Sequence, residues 1–324
     1  MDIERFWGIV DTARGIAGYD TEGRVDALRN RMHGLSMGLT RWAAPLLSLL
    51  LAVCTASAAA APTDFDVRGV EFRNLVAKLC LPKREHAVPV IVAFGGSEGG
   101  MSTGEAYCEM FAPAGIAVIA LAYFKEEGLP STLDQIPLEY FVSAIDYIQT
   151  ESALDAASIG VVSGSRGSEA ALLLASIDSR IRSVAVTTPS NVSWGGMTSN
   201  KSAWTLHGKE VPWLAVGRDE QIPNVQRFQM VLADKESVKT AIIHVEKING
   251  PLLLVSAKND EVWPSRQMSL AIEEYLAASS FKHSVTHATY LAGHAFSSAT
   301  APEIKQLIVD HFIRTLNSVQ GAKP

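Results

Sequence analysis

From residue 64 onward the chain alternates between short apolar runs and segments with helical spacing. Residues 88–94 and 116–122 are almost wholly apolar and rich in β-branched side chains. Such continuous runs are expected of strands covered on both faces, as in a parallel sheet. Residues 67–72 and 75–81 read as an early pair of strands, and 159–163, 184–187, 252–257 and 286–291 as further members of a central sheet. Between them, 105–114, 138–149, 168–176 and 302–316 place apolar residues at helical intervals. Strands alternating with helices predict an α/β domain, with a mostly parallel sheet and helices on both faces. Residues 189–249 interrupt the alternation: they are rich in Trp, Gly, Ser and charge, with weak periodicity, as expected of a cap-like insertion.

The N-terminal 61 residues follow a different pattern. Residues 1–36 are polar and charged; 37–61 carry a short basic region, a Leu-rich apolar run and an Ala-rich end with A-x-A spacing. This is the layout of a secretory signal, with cleavage after Ala58 or Ala61 and translation expected to start at Met37 or Met32. Residues 62–324 then form the exported domain, periplasmic or secreted. The apolar run is short of the ~20 residues that span a bilayer comfortably. Membrane contact is expected only if this segment stays uncleaved or Cys54, in Leu51-Ala-Val-Cys54, is lipidated.

Composition narrows the function classes. Hydrophobic residues make up 48% of 324 and charged residues 19%, enough apolar material for a large core. The net charge of −6 and the lack of a basic run argue against a nucleic-acid partner. The three cysteines include no CxxC pair, which disfavours zinc. Cys80 and Cys108 are read as buried thiols in preference to a disulfide, since free cysteine is commonly buried.

The chemistry concentrates at Ser163-Gly164-Ser165-Arg166-Gly167, which has the spacing of G-x-S-x-G with Ser163 for the first glycine. A nucleophilic serine on a sharp strand-to-helix turn needs small neighbours, because larger ones collide with the adjoining strand and helix. An apolar strand precedes this motif and an Ala/Leu-rich helix follows it. A serine hydroxyl also needs a base. His294, in Leu-Ala-Gly-His-Ala-Phe directly after the last predicted strand, fits that role, with His207 in the insertion as runner-up. Asp260, just beyond the strand at 252–257, fits as the acid that orients the imidazole; Glu261 and Asp219 are the alternatives. The order Ser165, Asp260, His294 is that of α/β-hydrolases.

The strand at 88–94 runs into Gly95-Gly96-Ser97-Glu98-Gly99-Gly100, which lacks the Lys-Ser/Thr ending of a nucleotide loop. Backbone N–H groups of Gly96, Ser97 and Arg166 are expected to form an oxyanion hole, with the Arg166 side chain on the surface. Trp194, Trp204, Trp213 and Trp263 are candidates for an apolar acyl pocket, or else for ordinary packing. The residues point to no metal and no organic cofactor.

These stretches resemble the C-terminal catalytic domain of acyl-CoA thioesterases and bile acid-CoA:amino acid N-acyltransferases. The resemblance rests on Phe94-Gly-Gly-Ser-Glu-Gly-Gly100, Ala120-Leu-Ala-Tyr-Phe124, Ile136-Pro-Leu-Glu-Tyr-Phe141, Ser163-Gly-Ser-Arg-Gly167, Pro189-Ser-Asn-Val-Ser-Trp194-Gly, Ser202-Ala-Trp-Thr-Leu-His-Gly-Lys209, Asn259-Asp-Glu-Val-Trp-Pro-Ser265 and Ala292-Gly-His294. It implies an α/β-hydrolase fold, a Ser165–Asp260–His294 triad and a small-molecule acyl ester or thioester as substrate. Acyltransferase members use a cysteine nucleophile, so the serine favours hydrolysis. An export signal directs attention to carboxylic esters, lipids or lactones beside coenzyme A thioesters, as in the related dienelactone hydrolases.

Overall fold

The computed structural model describes residues 65–320. The expected leader, signal segment and Cys54 lie outside them. Eight strands form one sheet in the order β1-β2-β4-β3-β6-β7-β10-β11: β1 (Phe65–Gly69), β2 (Val76–Pro82), β3 (Val88–Ala93), β4 (Ala117–Ala122), β6 (Leu154–Gly164), β7 (Ile181–Thr187), β10 (Leu252–Ala257) and β11 (Val285–Tyr290). The pairs β1–β2 and β2–β4 are antiparallel, and every later pair is parallel. A small second sheet joins β5 (Ile136–Pro137), β8 (Trp204–Leu206) and β9 (Lys209–Glu210).

The reason for the continuous apolar runs is visible in β3, where every residue is buried. Val90 and Val92 pack on one face with α2 (Leu138–Ile148) and α3 (Arg166–Ile177). Ile91 and Ala93 pack on the other, with α1 (Ser102–Phe111) and α7 (Ala301–Gln320). Successive strand residues point to opposite faces, so two apolar layers require an unbroken apolar run.

The insertion at 189–249 has more order than its periodicity suggests. It holds β8, β9, α4 (Asn224–Ala233) and α5 (Lys235–Ala241). Val192, Trp194, Leu214, Leu232 and Ala241 form its own small core with Trp263 and with Met268 on α6 (Ser265–Ala278).

The preference for free thiols is overturned. Cys80 on β2 and Cys108 on α1 form a disulfide with Cα atoms 5.7 Å apart. Helix α1 lies against β4, the neighbour of β2, so both side chains enter the same layer. Their 28-residue separation carries no sign of this.

Candidate active site

Parallel strands bring their carboxyl ends to one edge of the sheet, where open α/β folds bind ligands. Strand β6 ends at Gly164 and α3 begins at Arg166, leaving Ser165 alone to make the turn at φ 52° and ψ −130°. Positive φ strains a residue that has a side chain, so it persists only where the surroundings enforce it. Here the Ser165 N–H donates to Thr187 O at 3.0 Å. A Cβ on Gly167 would collide with Ser163 Oγ and the Gly95 carbonyl. Ser163, standing for the usual glycine, donates its buried hydroxyl to Phe94 O at 2.8 Å.

His294 Nε2 lies 2.8 Å from Ser165 Oγ, and His294 Nδ1 lies 2.9 and 3.0 Å from the two oxygens of Asp260. The Asp260 carboxylate is buried and also accepts the Val262 and Trp263 N–H groups at 3.0 and 3.1 Å. The indole of Trp263 meets the imidazole edge-on at 5.9 Å. The alternatives fall elsewhere. Glu261 accepts the His294 backbone N–H at 3.1 Å and so holds the loop rather than the ring. Asp219 is exposed and accepts from Gln221 N. His207 is exposed beside Glu139.

Of the three expected oxyanion donors, Gly96 departs from the expectation. Its N–H is already donated to Glu98 Oε1 at 2.9 Å, and Thr103 Oγ1 donates to the same oxygen at 2.7 Å. Tyr123 Oη donates to the Gly95 and Gly96 carbonyls, fixing the loop from beneath. The N–H groups of Ser97 and Arg166 remain; the latter opens α3, where a helix cannot satisfy its own first donors.

The Arg166 side chain is not on the surface. Nη1 lies 3.1 Å from Glu169 Oε1, and Nη2 donates to Gly195 O at 2.9 Å. Glu169 is fully buried and accepts from Trp194 N at 2.9 Å and Trp204 Nε1 at 3.0 Å. Burial raises its carboxyl pKa against the opposing pull of Arg166. This pair ties α3 to the insertion. The sequence reading missed it, although the i,i+3 spacing was a usable signal.

Two cavities meet at Ser165, Ser97 and Val262. One, of about 350 Å³, lies toward the insertion and is walled by Trp194, Trp213, Phe228 and Trp263, with Arg218 and Arg227. The other, of about 450 Å³, runs past His294, Tyr107 and Phe296. Trp194 and Trp263 line a cavity. Trp204 does not: it is buried in the main core against Tyr123 and Phe141, where its indole N–H serves Glu169.

Strand order and a site at the strand ends define an α/β-hydrolase fold. The chain belongs to the BAAT / acyl-CoA thioester hydrolase C-terminal family, whose model matches residues 136–315. Acyl-coenzyme A thioesterase 2, mitochondrial, of Rattus norvegicus is 28% identical over 208 residues, 61% of this chain and 43% of that protein. Acyl-coenzyme A amino acid N-acyltransferase 2 of Mus musculus is 27% identical over 189 residues, 58% of this chain and 44% of that protein. The chain thus spans under half the length of these curated relatives. A puromycin-hydrolyzing peptidase of Mycobacterium tuberculosis shares the fold with a TM-score of 0.54 at 14% identity, over 78% of this chain and 39% of that one.

Proposed function

We propose that this protein is a serine hydrolase that cleaves an acyl ester or thioester through an acyl-Ser165 intermediate. The observation that supports this reading is the unbroken line from Ser165 Oγ through His294 to Asp260, ending at two cavities. His294 takes the serine proton as Oγ attacks the carbonyl carbon. Asp260 accepts from Nδ1–H, which leaves Nε2 free to act as base, and it stabilises the imidazolium that forms. The Ser97 and Arg166 N–H groups receive the developing oxyanion. His294 then returns its proton to the leaving alcohol or thiol, and water repeats the sequence in reverse to release the acid.

The names of the thioesterase relatives support a thioester as one substrate class. The Cys80–Cys108 disulfide supports an exported protein, because such bonds persist in oxidising compartments. The test is turnover of p-nitrophenyl esters beside acyl-CoA thioesters by the protein and its Ser165→Ala variant. Turnover lost in the variant is expected, and equal turnover would overturn the nucleophile. The N-acyltransferase relative favours a second reading, in which an amine replaces water. Amide product formed in the presence of added glycine or taurine distinguishes it.

A further inference from the structure

The two cavities at Ser165 differ in charge, and this difference bears on the substrate. Both open at Ser165, so a molecule attacked there can extend one arm into each, and their walls then describe those arms. The cavity toward the insertion has three arginines and no Asp, Glu or Lys in its lining. Arg166 is answered by Glu169. Arg218 and Arg227 have no carboxylate within ion-pair distance among the described residues. In a chain with 34 acidic residues against 28 basic ones, two unanswered arginines on one cavity wall are not the default outcome.

Arg227 is also held in place. Its Nη1 donates to Gly217 O at 2.9 Å and its Nη2 to Asn224 Oδ1 at 2.8 Å, while its buried Nε–H has no partner among the described residues. It stands in the first turn of α4, which contains no acidic residue, so the positive end of the helix adds to its charge. The second cavity has no arginine or lysine in its lining and one carboxylate, Glu98.

We infer that the cavity toward the insertion takes a small oxyanionic group of the substrate, of the carboxylate class, held by Arg218 and Arg227. Arginine's fork of donors matches a carboxylate, and a fixed guanidinium loses little freedom on binding it. Trp194 and Phe228, edge-on with centroids 4.7 Å apart, suit a short carbon spacer between the carboxylate and the reacting carbonyl. The volume of about 350 Å³ is near the lower end of ligand pockets, so the arm is short. The substrate is thus an ester or thioester with one anionic arm and one neutral arm. This rests on Ser165 being the reacting residue.

Binding to the Ser165→Ala protein tests the inference without turnover, read by fluorescence of the tryptophans that line the cavity. Three probes of similar size are compared: monomethyl glutarate, with the carboxylate on the acyl arm; 3-acetoxypropanoate, with it on the alcohol arm; and neutral methyl pentanoate. One of the two anions is expected to bind at least about tenfold tighter than the neutral ester, and which one identifies the charged arm. That preference should shrink as salt rises toward about 0.5 M. It should fall severalfold in Arg218→Gln, an exposed position where folding is checked by thermal melting, and further in Arg227→Gln. Equal binding of all three probes, or a preference unchanged in Arg218→Gln, overturns the inference. Wild-type turnover of the same esters, compared with Ser165→Ala, separately decides the hydrolase reading, so the two can fail independently.

Discussion

The molecule contains a second serine, histidine and carboxylate in hydrogen-bonded sequence. Ser256 Oγ lies 2.7 Å from His287 Nε2, and His287 Nδ1 lies 2.6 Å from Glu273 Oε2. These distances rival those of Ser165, His294 and Asp260. The surroundings differ. Ser256 lies within β10, paired in register with Thr289, and is fully buried. It lines neither of the cavities at Ser165. Ser165 sits on a strained turn at the start of α3, where a helix cannot satisfy its own first N–H groups, and faces two cavities. The comparison teaches that three residues in line make a relay, whereas a reaction also needs room for a carbonyl and donors for its oxygen.

Substitution in parallel tests that contrast most severely. Ser165→Ala should lower kcat by about 10⁴-fold or more, the scale seen when a triad serine is removed. Ser256→Ala should leave turnover within about twofold, and steady-state kinetics of both variants on one ester measures the difference. A large loss in Ser256→Ala would break the comparison. The acids extend it: Asp260→Asn should cost about 10³–10⁴-fold in kcat by allowing the wrong imidazole tautomer. Glu273→Gln, at a partly exposed position on α6, should again change kcat by less than about twofold.

The next effect concerns what surrounds the first relay. Glu169→Ala strands the Arg166 guanidinium in a buried site and should cost about 3 kcal/mol of stability, measured by urea unfolding. Because Arg166 immediately follows Ser165 in the chain, kcat should fall in the same variant.

A third histidine sharpens the role of the carboxylate. His311 Nε2 lies 3.0 Å from Ser183 Oγ, and burial, reinforced by the nearby Arg314 charge, lowers its pKa to about 4. With an unfolded value near 6.5, the unfolded chain binds more protons between those two pH values, so stability rises with pH across that window. The loss on acidification should reach roughly 3 kcal/mol at most, and His311→Gln should flatten the slope in urea midpoints measured from pH 4 to 7.

The legible parts of the structure were those where local pattern and global position coincide. β3, β4 and β10 are buried on both faces, so their runs are unmistakable, and β10 ends where expected at Ala257. Ser165 directly follows β6, and Asp260 and His294 stand in the loops that follow β10 and β11, so strand ends alone point to all three. Gly96 was misjudged because the carboxylate that occupies its N–H comes from the Glu98 side chain, whose direction no spacing reveals. Trp194 faces a cavity, whereas Trp204 packs into the core against Tyr123 and Phe141, a difference set by tertiary contacts that no local pattern encodes. Helix α6 was not singled out, and the order within 189–249 comes from short elements that bury Trp194 and Leu232 against it.

The insertion leaves the sheet after β7 and returns at β10, and these strands are neighbours, with Val184 opposite Leu252. The two strands are parallel, so the insertion leaves at the carboxyl end of β7 and crosses over to the amino end of its neighbour, one self-contained crossover that can act as an interchangeable cassette. Such a segment can be exchanged in evolution or in the laboratory without rethreading the sheet, and substrate choice would travel with it while Ser165, Asp260 and His294 stay behind. The exchange has one condition. An incoming cassette must present carbonyls to Arg166 and N–H groups to Glu169, as Gly195, Trp194 and Trp204 do here, or it will leave a buried ion pair without its partners.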